Sequence, residues 1–171
     1  MSDGPIAFVG GTHMLRDKMT PYCRRMLDSD VEFQLDEWMQ LSVPVVIGDA
    51  DGVDATVQYY LANSGYENVT VYYSGDKPRN LINPEWKTVY VDASTYNLGT
   101  VDWHAQKDIL MCQVATEGLF IICDEGSKAT RRNLHRLLAE SKPVQIFELS
   151  KYGVDYDRWI DPGDVPEEVN L

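Results

Sequence analysis

Short apolar runs, most of them separated by stretches long enough to form a helix, dominate this chain: Pro5–Gly11 (PIAFVGG), Val43–Ile47 (VPVVI), Asn68–Tyr73 (NVTVYY), Lys87–Val91 (KTVYV), Leu119–Cys123 (LFIIC) and Pro143–Phe147 (PVQIF). Runs of this length, rich in β-branched and aromatic residues, read as strands buried on both faces. Parallel neighbours need crossover connections of a dozen residues or more, and the segments between most of these runs supply them. Pro44 is expected at the start of its strand, where a missing N–H does least harm.

Helix signals fall between the runs. Thr20-Pro21 opens a helix ending near Leu27, with Thr20 as N-cap and Pro21 in the first helical position. Ser29-Asp30 opens another, after which Val31, Leu35, Trp38 and Met39 recur at helical spacing. The segment Gly48–Asp54 runs into a helix through about Asn63, which Gly65 ends. Asp102–Thr116 and Ser127–Ser141 are the remaining helices, and Ser74–Pro84 is a polar loop. Strands alternating with helices define an α/β class: a Rossmann-like open, mostly parallel sheet with helices on both faces. At 171 residues the length suits one domain over residues 1–150. An acidic C-terminal tail, 151–171, is expected to pack on it or extend from it.

Twenty-seven acidic against fifteen basic residues leave a net charge of −12, which argues against broad nucleic-acid binding. No apolar run approaches the ~20 residues that span a bilayer, so no membrane partner is expected. Met1–Pro5 carries no basic, apolar leader, and Cys23, Cys112 and Cys123 form no paired framework. A reduced, cytoplasmic setting is the expectation. His13, His104 and His135 lack metal-ligand spacing, so no metal site is expected from them. Neither a P-loop nor a nucleophile elbow occurs.

In an open parallel sheet, ligands sit beyond the carboxyl ends of the strands. Three loops there have suitable composition: Gly10-Gly11-Thr12-His13, Gly48–Asp54, and Asp124–Thr130. Glycine admits close backbone approach, and following helix N-termini offer free amides and a positive dipole end. Gly126-Ser127-Lys128-Ala129-Thr130-Arg131-Arg132-Asn133 is the most informative stretch, with Lys128, Arg131 and Arg132 in the first turn or two of its helix. Cations in a first helical turn oppose the dipole by about 0.3–1 kcal/mol each, a conflict that a bound anion would reverse. The alternative is that these cations meet carboxylates on a solvated face. Gly48, Asp49, Asp51, Gly52 and Asp54 do not match an EF-hand, because position twelve is Tyr60 rather than Glu. Mg²⁺ held jointly with a ligand's phosphates, or an aspartate capping the next helix, remain as readings of that loop.

Phe8–Thr12, the segment Val45-Val46-Ile47-Gly48-Asp49-Ala50-Asp51-Gly52-Val53-Asp54-Ala55, and the succession Lys107–Met111, Leu119–Cys123, Gly126–Thr130, Lys142-Pro143-Val144 together resemble the Smf/DprA–LOG (SLOG) superfamily of Rossmann-like proteins. The second segment is similar to that superfamily's "GGARGAD" and the succession to its "RN–M … GG-x-GT … GKPV". Within it, small stand-alone bacterial and phage members are most similar, over about Ile6 to Phe147. The resemblance implies binding of a nucleotide or a nucleotide-derived phosphosugar, with Lys107 and Asp108 at the site. Members of the cytokinin-activating type hydrolyse the N-glycosidic bond of a nucleoside monophosphate, using a glutamate in "PGGxGTxxE". Asn133 stands at that glutamate, Ala129 at its glycine, and Lys107-Asp108 where "RN" is common, which weighs against the same mechanism here.

The leading expectation is therefore a nucleotide or phosphosugar binder, a sensor or sequestering module. An N-glycosidase or deoxyribosyltransferase-like enzyme using Asp49, Asp51 or Asp108 is the alternative. A protein-interaction subunit working through its acidic tail is a third reading, and a homo-oligomer is an open expectation for any of them.

Overall fold

The computed structural model describes residues 4–13, 29–122, 128–150 and 153–160. In chain order the elements are β1 (Ala7–Gly11), α1 (Ser29–Gln40), β2 (Val45–Ile47), α2 (Val53–Asn63), β3 (Val69–Tyr73), β4 (Lys87–Tyr90), α3 (Val101–Val114), β5 (Glu117–Ile122), α4 (Lys128–Ala139), β6 (Val144–Ser150) and β7 (Gly153–Ile160). They form one seven-stranded sheet in the order β4-β3-β2-β1-β5-β6-β7. Every pairing is parallel except β6 with β7, which is antiparallel. The chain steps outward from β1 to β4, then α3 carries it back to β5 on the other side of β1. That reversal makes the carboxyl end of β1 the topological switch point of the sheet.

The period of two along each strand divides the core between two faces. Ala7, Val9, Val45, Ile47, Leu119 and Ile121 pack with α1 and α2 through Val31, Leu35, Trp38, Val53, Val57 and Leu61. Phe8, Val46, Phe120 and Ile122 point the other way, to Met111 and Cys112 of α3 and Leu134, Leu137 and Leu138 of α4. Phe8 and Phe120 meet edge to face, with ring centroids 5.1 Å apart. The expected α/β sheet with helices on both faces is the observed one.

Three helices end alike. Ser42 N–H donates to the Met39 carbonyl and Val43 N–H to that of Trp38. Gly65 and Tyr66 do the same to Ala62 and Leu61, and Ser141 and Lys142 to Leu138 and Leu137. This is the Schellman closure, which needs a left-handed residue just past the helix. Gly65 supplies it at φ 70°, whereas Ser42 and Ser141 adopt φ 55° and 60° despite their side chains. The first closure shortens β2: Val43 spends its N–H on the helix, so the ladder begins at Val45 rather than at Val43. Pro44 lies just before that ladder, its carbonyl accepting from Ala7 N–H at 2.9 Å.

One further point differs from the sequence reading. Residues 153–160, within the stretch read as a tail, form β7 on the edge of β6. The helix expected over 20–27 lies outside the described residues.

Candidate functional site

A cavity of about 200 Å³ opens at the switch point. Gly10, Gly11 and His13 at the exit of β1, with Ala50 and Asp54 after β2, line one side of it. α3 supplies a stripe at helical spacing: Val101, His104, Ala105, Asp108 and Met111, with Lys107 beside it. α4 faces it with Ala129, Arg132, Asn133 and Arg136, a second stripe at three- and four-residue spacing, and with Thr130. Arg79 reaches in from the loop between β3 and β4. α3 starts cleanly because Thr100 caps it, its Oγ accepting from Trp103 N–H at 3.3 Å.

Among the described residues four cations line this cavity, Arg79, Lys107, Arg132 and Arg136, against two carboxylates, Asp54 and Asp108. In a chain of net charge −12 that is a reversal of local sign. Arg136 donates to Asn133 Oδ1 at 2.6 Å. Among the described residues no carboxylate forms an ion pair with Arg132 or Arg136. Lys107 is 5 % exposed; its Nζ donates to the His104 carbonyl at 3.3 Å and lies 3.8 Å from Asp108 Oδ1. Two neighbouring histidines stay neutral. Burial, then Lys107 and Arg79, depress His104 to about 4, and burial followed by Arg79 lowers His13.

Asp54 titrates the opposite way. It is 9 % exposed, and burial, reinforced by Asp108 and only partly opposed by Lys107, pushes its carboxyl up to about 7. Its Oδ2 accepts from Ala50 N–H at 3.2 Å. A Cβ on Gly48 would stand 2.6 Å from that oxygen, so glycine here is what lets the carboxyl turn inward.

Asp49 and Asp51, nominated above as chemical groups, are occupied in holding a loop. Arg79 donates to Asp49 from its backbone N–H at 2.9 Å, from Nε at 3.3 Å and from Nη2 at 2.8 Å. Burial alone would raise the Asp49 carboxyl, but these bonds outweigh it and hold it below its ordinary value. Asn80 Nδ2 donates to Asp51 Oδ1 and to the Asp49 carbonyl. Gln58, fully buried, bonds the Gly48 and Asn80 carbonyls through Nε2 and the Ile82 N–H through Oε1. The β2 exit thus serves as an anchor for the Arg79 loop. No aspartate caps α2: its N-cap is Gly52, without a side-chain cap bond.

In the first two glycine turns three amides are committed internally. Thr12 N–H donates to the Ile121 carbonyl, Val53 N–H to the Thr12 carbonyl, and Ala50 N–H to Asp54. Of the residues singled out in the sequence, Gly10, Gly11, His13, Asp54, Lys107, Asp108 and Thr130 come together at the cavity. Thr12, Gly48, Asp49, Asp51 and Gly52 support it from behind. Lys128 is exposed outside the lining, and Arg131 Nη2 pairs with Glu148 at 3.4 Å, the solvated-face reading of that cation. Gly126 and Ser127 lie outside the described residues. Arg132, one of the three cations singled out at the start of α4, also lines the cavity, whereas Arg79, His104 and Arg136 were missed; the stripe at 129, 132, 133 and 136 was a readable signal for Arg136, and Arg79 carried none.

Among the described residues no group of three or more His, Cys, Asp or Glu side chains is placed to hold a metal ion, and no helix is long and apolar enough to cross a membrane. Compared with protein-family models, with curated proteins and with solved structures, the chain matches none.

Proposed function

We propose that the cavity binds a nucleotide or a nucleotide-derived phosphosugar, making the protein a sensor or sequestering module, and that the chain is a small stand-alone relative of the Smf/DprA–LOG superfamily. One observation carries the reading: among the described residues, four cations converge at the switch point of a sheet in a strongly acidic chain. Two of them, Arg132 and Arg136, have no carboxylate ion pair among the described residues. Cations held in a partly desolvated cleft form strong, charge-assisted bonds to phosphate oxygens. Melting curves with AMP, ADP-ribose and ribose 5-phosphate test it. A ligand at about 100 times its Kd adds roughly 2.7 kcal/mol of stability. If none of the three moves the midpoint, the reading is lost.

Asp54 favours a second reading. A carboxyl titrating at about 7 inside a cavity suits general acid–base work, and Asp108 lines the same cavity. Hydrolysis of the N-glycosidic bond would then use this pair, since Asp49 and Asp51 are engaged elsewhere. Release of free base from AMP, abolished by D108N, is the outcome that selects it over plain binding.

A further inference from the structure

A cavity that welcomes an anion and is also lined by carboxylates contains an electrostatic conflict. Asp54 opens onto it from the start of α2. Facing Asp54 are Lys107, Asp108 and His104 of α3, Asp49 at the β2 exit, Arg79 of the following loop and His13 after β1, with Arg132 and Arg136 across the cavity on α4. Asp49 is neutralised by its bonds to Arg79, and Lys107 already lies against Asp108. A ligand dianion entering here adds like charge beside a buried carboxylate. In a desolvated cleft each such charge disfavours the ionised form of the other.

We infer that Asp54 is the proton-carrying residue of this site: a phosphate-type oxyanion binds with the Asp54 carboxyl neutral, so that above neutral pH a proton enters the cavity with the ligand. The neutral carboxyl changes role, from a repelling charge to an O–H that donates to an anionic oxygen. This selects ligands presenting an acceptor-only oxyanion and makes their affinity fall as pH rises. Burial has already placed Asp54 close to the point of taking the proton, which keeps the energetic cost of the change small. The inference rests on the anion-binding reading above and specifies how that site is regulated.

Calorimetric titration near pH 6 and pH 8, each in two buffers of different ionisation heat, measures the proton directly. Inorganic sulfate is the first probe because it stays a dianion throughout, unlike a phosphate ester, whose second ionisation lies near 6. Ribose 5-phosphate is the second. Sulfate affinity is expected to fall up to tenfold per pH unit above neutrality, with uptake approaching one proton near pH 8. D54N should bind sulfate with little pH dependence, and more tightly than wild type near pH 8. Wild-type binding near pH 8 without proton uptake overturns the inference while leaving the anion site standing, as does undiminished uptake in D54N. The buffer comparison on wild type needs no variant. If neither probe binds at either pH, the anion site and the proton linkage fall together.

Discussion

Arg79 grips Asp49 through both carboxylate oxygens, using Nη2, Nε and its own backbone N–H. The aspartate is 2 % exposed and belongs to the β2 exit, while the arginine side chain is 38 % exposed and belongs to a loop thirty residues later. The pair therefore fixes both the loop and the direction of a guanidinium that lines the cavity.

Breaking that pair from the arginine side leaves a buried carboxylate alone. R79M should cost about 1–3 kcal/mol near neutral pH, less than the loss of a fully buried pair because the arginine is partly exposed. Arg79 holds the Asp49 carboxyl below its ordinary 3.8, so this stabilisation is present above that value and is lost as pH falls through the lower, folded one. Denaturant titrations of both proteins should converge in acid. A constant difference down to about pH 3 would show that the pairing is not the source.

Asp54 gives the opposite slope. Its folded value, about 7, lies above its ordinary 3.8, so the native state binds the extra proton between those limits and stability falls as pH rises through that window. D54N removes the titration. It should raise stability by about 2–4 kcal/mol near pH 8 and by much less near pH 4. Equal gains at both values would sink the assignment.

The two glycines ending β1 should separate packing from binding. A Cβ on Gly11 would collide with the Ile121 carbonyl and stand 2.7 Å from Val53 Cγ2. G11A is therefore expected to lose at least about 2 kcal/mol. At Gly10 the nearest atoms are the Phe120 and Phe8 rings, at 3.2 and 3.4 Å, which can shift slightly. G10A should stay within about 1 kcal/mol of wild type while narrowing the cavity and weakening ribose 5-phosphate.

Adjacent arginines on α4 provide a matched control. Arg132 lines the cavity, whereas Arg131 turns to Glu148. R132A should leave stability within about 0.5 kcal/mol and reduce ribose 5-phosphate affinity about tenfold or more. R131A should leave affinity unchanged. Equal effects of the two on binding would place the anion elsewhere.

Ser42 and Ser141 hold left-handed conformations that glycine adopts without strain. Relief is worth about 1 kcal/mol, offset in part by glycine's freer unfolded chain, so S42G and S141G should each gain about 0.5 kcal/mol. They close helices on opposite faces of the sheet, so their effects on the melting midpoint should add.

The fold was legible because burial on both faces leaves a plain mark: Val45-Val46-Ile47 and Leu119–Ile122 are apolar at every position, and no surface strand could be. β7 was not read, although Val154-Asp155-Tyr156-Asp157 alternates as a half-buried strand does; its acidity and the nearby prolines suggested a tail. The loops of the site were found because glycine marks strand exits. Which aspartate faces the cavity was not legible, since that depends on Arg79 and Asn80 arriving from a loop without any motif. Arg131 and Arg132 look equivalent in sequence, and only the helical phase separates them.

The position of α3 has a mechanical consequence. It is the covalent bridge from β4 back to β5, and the cavity it walls straddles the seam where the sheet changes direction. A ligand touching both Asp54 and Arg132 would fasten the outward-stepping strands to the returning ones like a clasp. Occupancy should then slow amide exchange along β1 and β5, well away from the atoms it contacts.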